Sequence, residues 1–336
     1  MHKPARIRMA HGAGARLTGE LVAEVFAASF GGPVLSRLED SAEVYLPGSR
    51  LAFTTDCHVV RPLFFPGGDI GRLAVCGTVN DLAVKGARPR FLSLGFILAE
   101  GLELEMLERV ARSVGAAARE AGAEVVAGDT KVVEAAAADG IFITSSGVGE
   151  IPAGRNLSIA SAREGDLLVL SGNIAEHGVA VLDARESLGL GRDFASDCAP
   201  LNALVECACS AAPGLRALRD PTRGGLASVC LEIAAASGRR LVVDETALPI
   251  RPPVRAACEI LGLDPLYVAN EGLFVAVVPP DQAEALLKAL RADPRGSDAA
   301  VIGRVERGNG DAEVETEAGG RRRLAWVEGE PLPRIC

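Results

Sequence analysis

Three carboxylates stand in compact polar motifs: Asp56 after Thr54-Thr55, Asp81 after Thr78-Val79-Asn80, and Asp129 in Gly128-Asp129-Thr130-Lys131. Each lies where an apolar run ends or within a helical spacing. Carboxylates carried to one end of a sheet by separate elements suit Mg2+, which takes oxygen ligands and commonly completes its shell with phosphate oxygens. Any one of these acids would serve equally as a helix cap or turn carboxylate; the three together point to a metal–nucleotide site. Lys131 follows the third acid and is placed to stabilise charge on a transferring phosphoryl group. Glu271, in Ala269-Asn270-Glu271-Gly272, has the character of a general base or of a group that orients a substrate amide.

A different chemistry closes the chain. Cys336 ends the stretch Pro331-Leu332-Pro333-Arg334-Ile335-Cys336. Two prolines remove backbone donors and favour extended, semi-rigid chain. Such a tail would tether a thiol and carry it into a pocket and out again; the alternative is a frayed end with a chance Cys. Two segments could hold anions. His11-Gly12-Ala13-Gly14-Ala15 is flexible enough to close its N–H groups over phosphates. Asp220-Pro221-Thr222-Arg223-Gly224-Gly225 runs into a helix, which adds a helix N-terminus to the Arg223 guanidinium. No Gly-x-x-x-x-Gly-Lys-Ser/Thr run is present, which argues against a P-loop enzyme. His11, His58 and His177 are too dispersed for zinc spacing.

The elements that must position these groups alternate between periods of 2 and 3.6. Ala42–Leu46 and Arg50–Thr54 read as strands joined at Pro47-Gly48-Ser49. Ile70–Lys85 is helical. Arg90–Leu98 is a strand, and Glu103–Ala121 is an amphipathic helix closed by Gly122. Glu124–Ala127 is expected to be a short buried strand, and Ile141–Gly149 another. After a looser stretch at Ile151–Ile159, strands and helices resume from Leu167–Leu170 onward. The alternation predicts α/β layers, divided as residues 1–154, 155–328 and a tail over 329–336.

The chain has 336 residues, enough for two cores, with 49% hydrophobic and 24% charged residues and a net charge of −9 at pH 7. An acidic balance without a long basic run argues against a nucleic-acid surface, and Arg321-Arg322-Arg323 after Gly319-Gly320 reads as a hairpin turn. No apolar run reaches the roughly 18–20 residues of a membrane span. The first residues carry no signal-peptide core. Eight scattered cysteines then imply reduced thiols and a cytoplasmic setting.

These motifs together resemble the HypE family of hydrogenase maturation factors, within the PurM-like, aminoimidazole-ribonucleotide-synthetase-related ATP enzymes. The resemblance rests on His11–Gly14, Phe64–Val84, Gly128–Val133, Arg219–Ala227, Asp264–Gly272 and the ending Leu332–Cys336. It implies a PurM-like, two-domain α/β (α+β) fold with a β-rich dimerising half, and hence a homodimer. It implies ATP and Mg2+, with nucleotide contacts at His11, Gly12, Gly14, Asp56, Asp69, Asn80, Asp81, Asp129, Thr130, Asp220, Arg223 and Gly224. Metal ligation falls to Asp56, Asp81 and Asp129, and catalytic roles to Cys336, Lys131 and Glu271. The implied reaction starts when the carbamoyltransferase HypF loads a carbamoyl group onto the Cys336 thiol. ATP-dependent dehydration turns that thiocarboxamide into a thiocyanate. The cyano group then passes to iron on the HypC–HypD complex. Two positions depart from the family pattern: Ala15 replaces a glycine of the N-terminal loop, and Cys57 stands where serine is usual. Rival readings are another PurM-like ATP enzyme, of selenophosphate or thiamine-phosphate type, and a non-enzymatic scaffold whose tail docks a partner. Turnover that survives loss of the tail would favour the first; partner binding without ATP hydrolysis would favour the second.

Overall fold

The computed structural model describes the backbone of residues 42–46 and the full residues 49–190, 194–326 and 335–336. Strand β1 (Ala42–Leu46) pairs antiparallel with β2 (Ser49–His58), with Leu46 opposite Ser49. The short pair β3 (Phe64–Phe65) and β4 (Gly68–Asp69) leads into helix α1 (Ile70–Val84). Asp69 is the N-cap of α1: its Oδ1 accepts from the N–H groups of Gly71 and Arg72 at 2.8 and 3.1 Å. Almost every α1 side chain is buried, as befits a helix packed on more than one side. Strand β5 (Arg88–Ala99) precedes α2 (Leu104–Ala121), which buries the stripe Val110, Val114, Ala117, Ala118 and Ala121 and stops at Gly122 in the left-handed conformation. Strands β6 (Glu124–Val133) and β7 (Ile141–Glu150) complete a sheet of order β1-β2-β7-β5-β6.

Helices α1 and α2 cover one face of this sheet; no described element covers the other, the open face. Phe53 on β2 and Phe91 on β5 flank Val148 of β7 on that open face, 44% and 48% exposed respectively. The expectation of a short buried strand at Glu124–Ala127 is corrected. β6 runs ten residues, through Gly128-Asp129-Thr130-Lys131, and is exposed along nearly its whole length. Its valines resemble a core strand in composition, but it forms the sheet edge, and only β5 pairs with it among the described strands.

The second sheet is assembled from β8 (Leu167–Leu170), β9 (Ala217–Arg219), β10 (Arg240–Asp244), β11 (Val275–Val278), β12 (Ala300–Glu306), β13 (Ala312–Glu315) and β14 (Arg321–Arg323), in the order β14-β13-β10-β12-β8-β11-β9. Interleaved are α3 (Glu176–Glu186), α4 (Asn202–Ala211), α5 (Gly225–Ser237), α6 (Pro252–Leu261) and α7 (Pro280–Arg291). The strand period is visible in the packing. Leu168 and Leu170 join the core beneath α5, whereas Val169 joins the core beneath α4 and α7. Arg321–Arg323 form the strand that follows the turn at Gly319-Gly320. Arg155 ties the halves together, donating to the Gly86 carbonyl at 2.9 Å and pairing with Glu206.

Candidate active site

The end of β2 builds one wall of a cavity of about 240 Å3. Alternation along the strand turns Thr54, Asp56 and His58 towards α1 and Thr55 and Cys57 towards the open face. Thr54 Oγ1 donates to Asp81 Oδ2 at 2.7 Å, orienting that carboxylate. His58 Nε2 lies 3.4 Å from Asp56 Oδ2 and 3.2 Å from Ser145 Oγ. Burial holds the His58 pKa below its usual 6.5, against the opposing pull of Asp56. Gly77 of α1 is needed for this approach, because a Cβ there would come within 3.0 Å of both Asp56 Oδ2 and His58 Cε1.

The opposite wall comes from the second half. Asp220, Thr222 and Arg223 line the cavity just before α5, with Arg219 and Glu232 behind them. Gly224 caps α5 at φ 77°, and Gly225 follows at φ 62°. The Arg223 guanidinium lies 3.8 Å from Asp56 Oδ1. Its pKa is raised, chiefly by Cys336, with Asp56, Glu271 and Asp81 adding to the effect. Burial pushes Asp220 up to about 6.

Glu271 is 4% exposed and faces the same cavity. Burial pushes its carboxyl well above the carboxylate range; Asp56, Asp197 and Asp220 reinforce the shift, and Arg223 opposes it. A polar framework fixes the Glu271 backbone. Asp197 accepts from the N–H groups of Glu271 and Gly272, both at 3.0 Å. Asn80 donates to the carbonyls of Ala199 and Glu271 at 3.1 and 3.3 Å and accepts from Leu201 N at 2.8 Å.

Cys336 completes the cavity lining. Ile335 beside it is buried in the core shared by α1, α2 and α3. Val59 N donates to the Cys336 carbonyl at 3.2 Å, and His177 Nε2 lies 2.7 Å from the Ile335 carbonyl.

Of the residues selected from sequence, Asp56, Asp81, Asp220, Arg223, Glu271 and Cys336 therefore share one cavity, with Gly224 at its edge. Asp69 and Asn80 stand behind it in the structural bonds just described. Asp129, Thr130 and Lys131 lie three strands away on β6, a lateral distance of roughly 14 Å at sheet spacing. Register places Asp129 on the open face, level with Gly95, Thr144 and Cys57, and Lys131 shares that face. His11, Gly12 and Gly14 lie outside the described residues. Residues that sequence reasoning missed include Asp197, His177 and Ser196; none belongs to a motif or a periodic stripe. Arg219, quoted only within a longer stretch, could have been found from its place next to Asp220.

Among the described residues, no set of three or more His, Cys, Asp and Glu side chains is grouped to hold a metal ion. Asp56 and Asp81 still give the cavity two hard oxygen donors. Two carboxylates fit Mg2+ that is also held by phosphate oxygens. None of the helices, among the described residues, is long and apolar enough to cross a membrane.

Comparison with known proteins agrees with this architecture. Residues 38–151 match the AIR synthase related protein N-terminal domain, and residues 163–315 match the corresponding C-terminal domain. The carbamoyl dehydratase HypE of Azotobacter vinelandii is 52% identical over 331 residues, covering 98% of this chain and 97% of its own length. A crystal structure of a HypE–HypF complex superposes with a TM-score of 0.87 at 45% identity, covering 91% of this chain and 99% of that one. HypE in complex with ATP superposes with a TM-score of 0.84 at 46% identity, covering 98% and 100%. The fold is PurM-like, and the chain belongs to the HypE family of hydrogenase maturation proteins.

Proposed function

We propose that this protein uses ATP to dehydrate a carbamoyl group, carried as a thiocarboxamide on Cys336, to a thiocyanate that supplies the cyanide ligand of [NiFe]-hydrogenase iron. The observation that carries this reading is the seating of Cys336 in one cavity with Glu271, Arg223, Asp56 and Asp81. An amide oxygen is a poor leaving group. Transfer of the γ-phosphoryl of ATP to that oxygen, with ADP leaving and one N–H proton lost, forms an imidate phosphate, S–C(=NH)–O–phosphate, still carried on Cys336. Loss of the N–H proton as phosphate departs leaves S–C≡N. Glu271 is the base for that proton: burial raises its carboxyl above the carboxylate range, which makes its carboxylate form a stronger proton acceptor. Arg223 offsets negative charge at the phosphoryl group, and positioning does most of the rest. Asp56 and Asp81 would hold Mg2+, which would neutralise phosphate charge when bound.

The protein acts as a homodimer in this reading. The open face of the first sheet, with Phe53, Phe91 and Ile97 exposed, supports it. If a two-fold axis runs along the central strands, β6 of the second copy lies over β2 of the first. Asp129 and Lys131 of the second copy then face the Asp56 cavity, Asp129 as a further metal ligand and Lys131 as a stabiliser of the phosphorylated intermediate. The division into 1–154, 155–328 and a 329–336 tail belongs to the same reading, supported by one sheet on each side of the boundary. HypF is the carbamoyl donor, the HypC–HypD complex is the cyano acceptor, and the setting is cytoplasmic.

The test is the intact mass of the full chain after incubation with active HypF and carbamoyl phosphate, before and after Mg-ATP. A carbamoyl adduct on Cys336 that loses one water only with ATP is expected. An unmodified Cys336, or an adduct that ATP leaves unchanged, sinks the reading.

A further inference from the structure

The residue before Cys336 is held at its carbonyl, and the holding group is a buried imidazole. The Ile335 carbonyl can only accept, so His177 Nε2 carries the proton and donates to it at 2.7 Å. Nδ1 is then a lone pair, 2.7 Å from Ser196 Oγ, and takes the Ser196 hydroxyl proton. Ser196 Oγ accepts in turn from the Cys198 N–H at 3.0 Å. Every donor and acceptor in this chain is used once and in one direction. The ring stands edge-on to Phe65, with centroids 5.5 Å apart and planes at 87°, and it is fully buried. Ser196 itself is pinned: its N–H donates to the Pro66 carbonyl at 2.8 Å. The next residue, Asp197, binds the Glu271 and Gly272 N–H groups, and Ala199 N donates to the Glu271 carbonyl at 3.3 Å.

We propose that His177, oriented by Ser196, is the latch that holds the docked tail, and that Ser196 and Asp197, as chain neighbours, lock the thiol and the base into one frame. None of the three touches the reacting atoms; they are positioning residues. The role rests on the reading that Cys336 carries the reacting group, which must leave the cavity to be loaded and return to be dehydrated. A latch of hydrogen bonds to backbone carbonyl suits that cycle, because it recognises the chain and ignores what the sulfur carries.

The test uses the full chain and iodoacetamide, with exposed Cys207 as the internal reference thiol. Ser196→Ala removes one oxygen and leaves the fold in place. His177→Phe keeps a ring against Phe65 but has no donor. Each is expected to raise Cys336 alkylation relative to Cys207 about fivefold, the equivalent of ~1 kcal/mol for one net hydrogen bond. His177→Gln, which keeps an N–H donor, should lie closer to the parent than His177→Phe. After loading by HypF, single-turnover dehydration at saturating ATP should fall only as far as the docked fraction falls, with KM for ATP unmoved and loading, which needs the undocked thiol, no slower than in the parent. Parent-like alkylation of Cys336 in both Ser196→Ala and His177→Phe overturns the latch. Alkylation reads docking directly, so it decides the latch even if the parent takes no carbamoyl group, the outcome that would sink the functional reading alone.

Discussion

In the proposed mechanism, Glu271 shows how environment suits an ordinary carboxylate to the role of base. Burial and three neighbouring acids disfavour its charged form, and only Arg223 counters them. Glu271→Gln keeps the shape and removes the proton acceptor. Carbamoyl loading of Cys336 should persist, while single-turnover dehydration falls about 10²-fold or more, read by intact mass over time. The buried His177 has a separate signature in stability. Burial lowers its pKa to about 4, from 6.5 in the unfolded chain. Below pH 6.5 the unfolded state takes up a proton that the folded state refuses, so this contribution to stability is lost as pH falls from 6.5 towards 4, by ~3 kcal/mol. Asp197 has the opposite sign: raised to about 7 from 3.8, it weakens the fold as pH rises through that window. Urea unfolding of the parent and of His177→Gln should therefore show a stability difference that shifts in the parent's favour from pH 4 to 6.5 and then levels. A constant difference would remove the buried neutral imidazole from the account.

Elements were legible where their ends carry chemistry of their own. Asp69 and Gly122 mark the start of α1 and the end of α2 because caps are local. The motif Asp220–Gly225 announced a helix entry for the same reason. β6 was misjudged because composition is local and burial is not: Val125 and Val126 look like core residues until the sheet order puts them at an edge. The separation of Lys131 from Glu271 within one chain was equally hidden, since a side chain's face depends on register with strands far away in sequence. Asp197 and His177 carry no periodicity and emerge only from the packed structure. The entry to α5 gives a test at this scale. Gly225 has φ 62°, and a Cβ there would meet the carbonyls of Leu266 and Val268 at 2.6 and 2.7 Å. Both are backbone atoms with little room to yield. Gly225→Ala should cost about 1–3 kcal/mol from the left-handed conformation alone, with the clash added. Its thermal midpoint should drop by several degrees; an unchanged midpoint would mean that the turn relaxes freely.

At the scale of the whole molecule, the proposed site is shared between two copies of the chain. Asp56, Asp81, Arg223, Glu271 and Cys336 line the cavity, while Asp129 and Lys131 wait on an exposed strand of the same sheet. Face-to-face packing around a two-fold axis would hide the apolar face and complete two identical sites at once, each built from both copies. That arrangement has a consequence no single-chain site shares. A Lys131→Ala chain and a Glu271→Gln chain would each be nearly inactive alone. In a dimer of one with the other, both substitutions fall in one site and the second site is intact. If the two chains are mixed under conditions that let subunits exchange, half of the dimers become hybrids, and about one quarter of all sites regain full activity. The measurement is dehydration of preloaded Cys336 in the mixture against each parent variant, with Phe91→Asp added to both chains as a control that breaks the shared face. Recovery that Phe91→Asp abolishes is the expected result. A mixture no more active than the mean of its parts would place Lys131 in the same-chain site or outside the reaction.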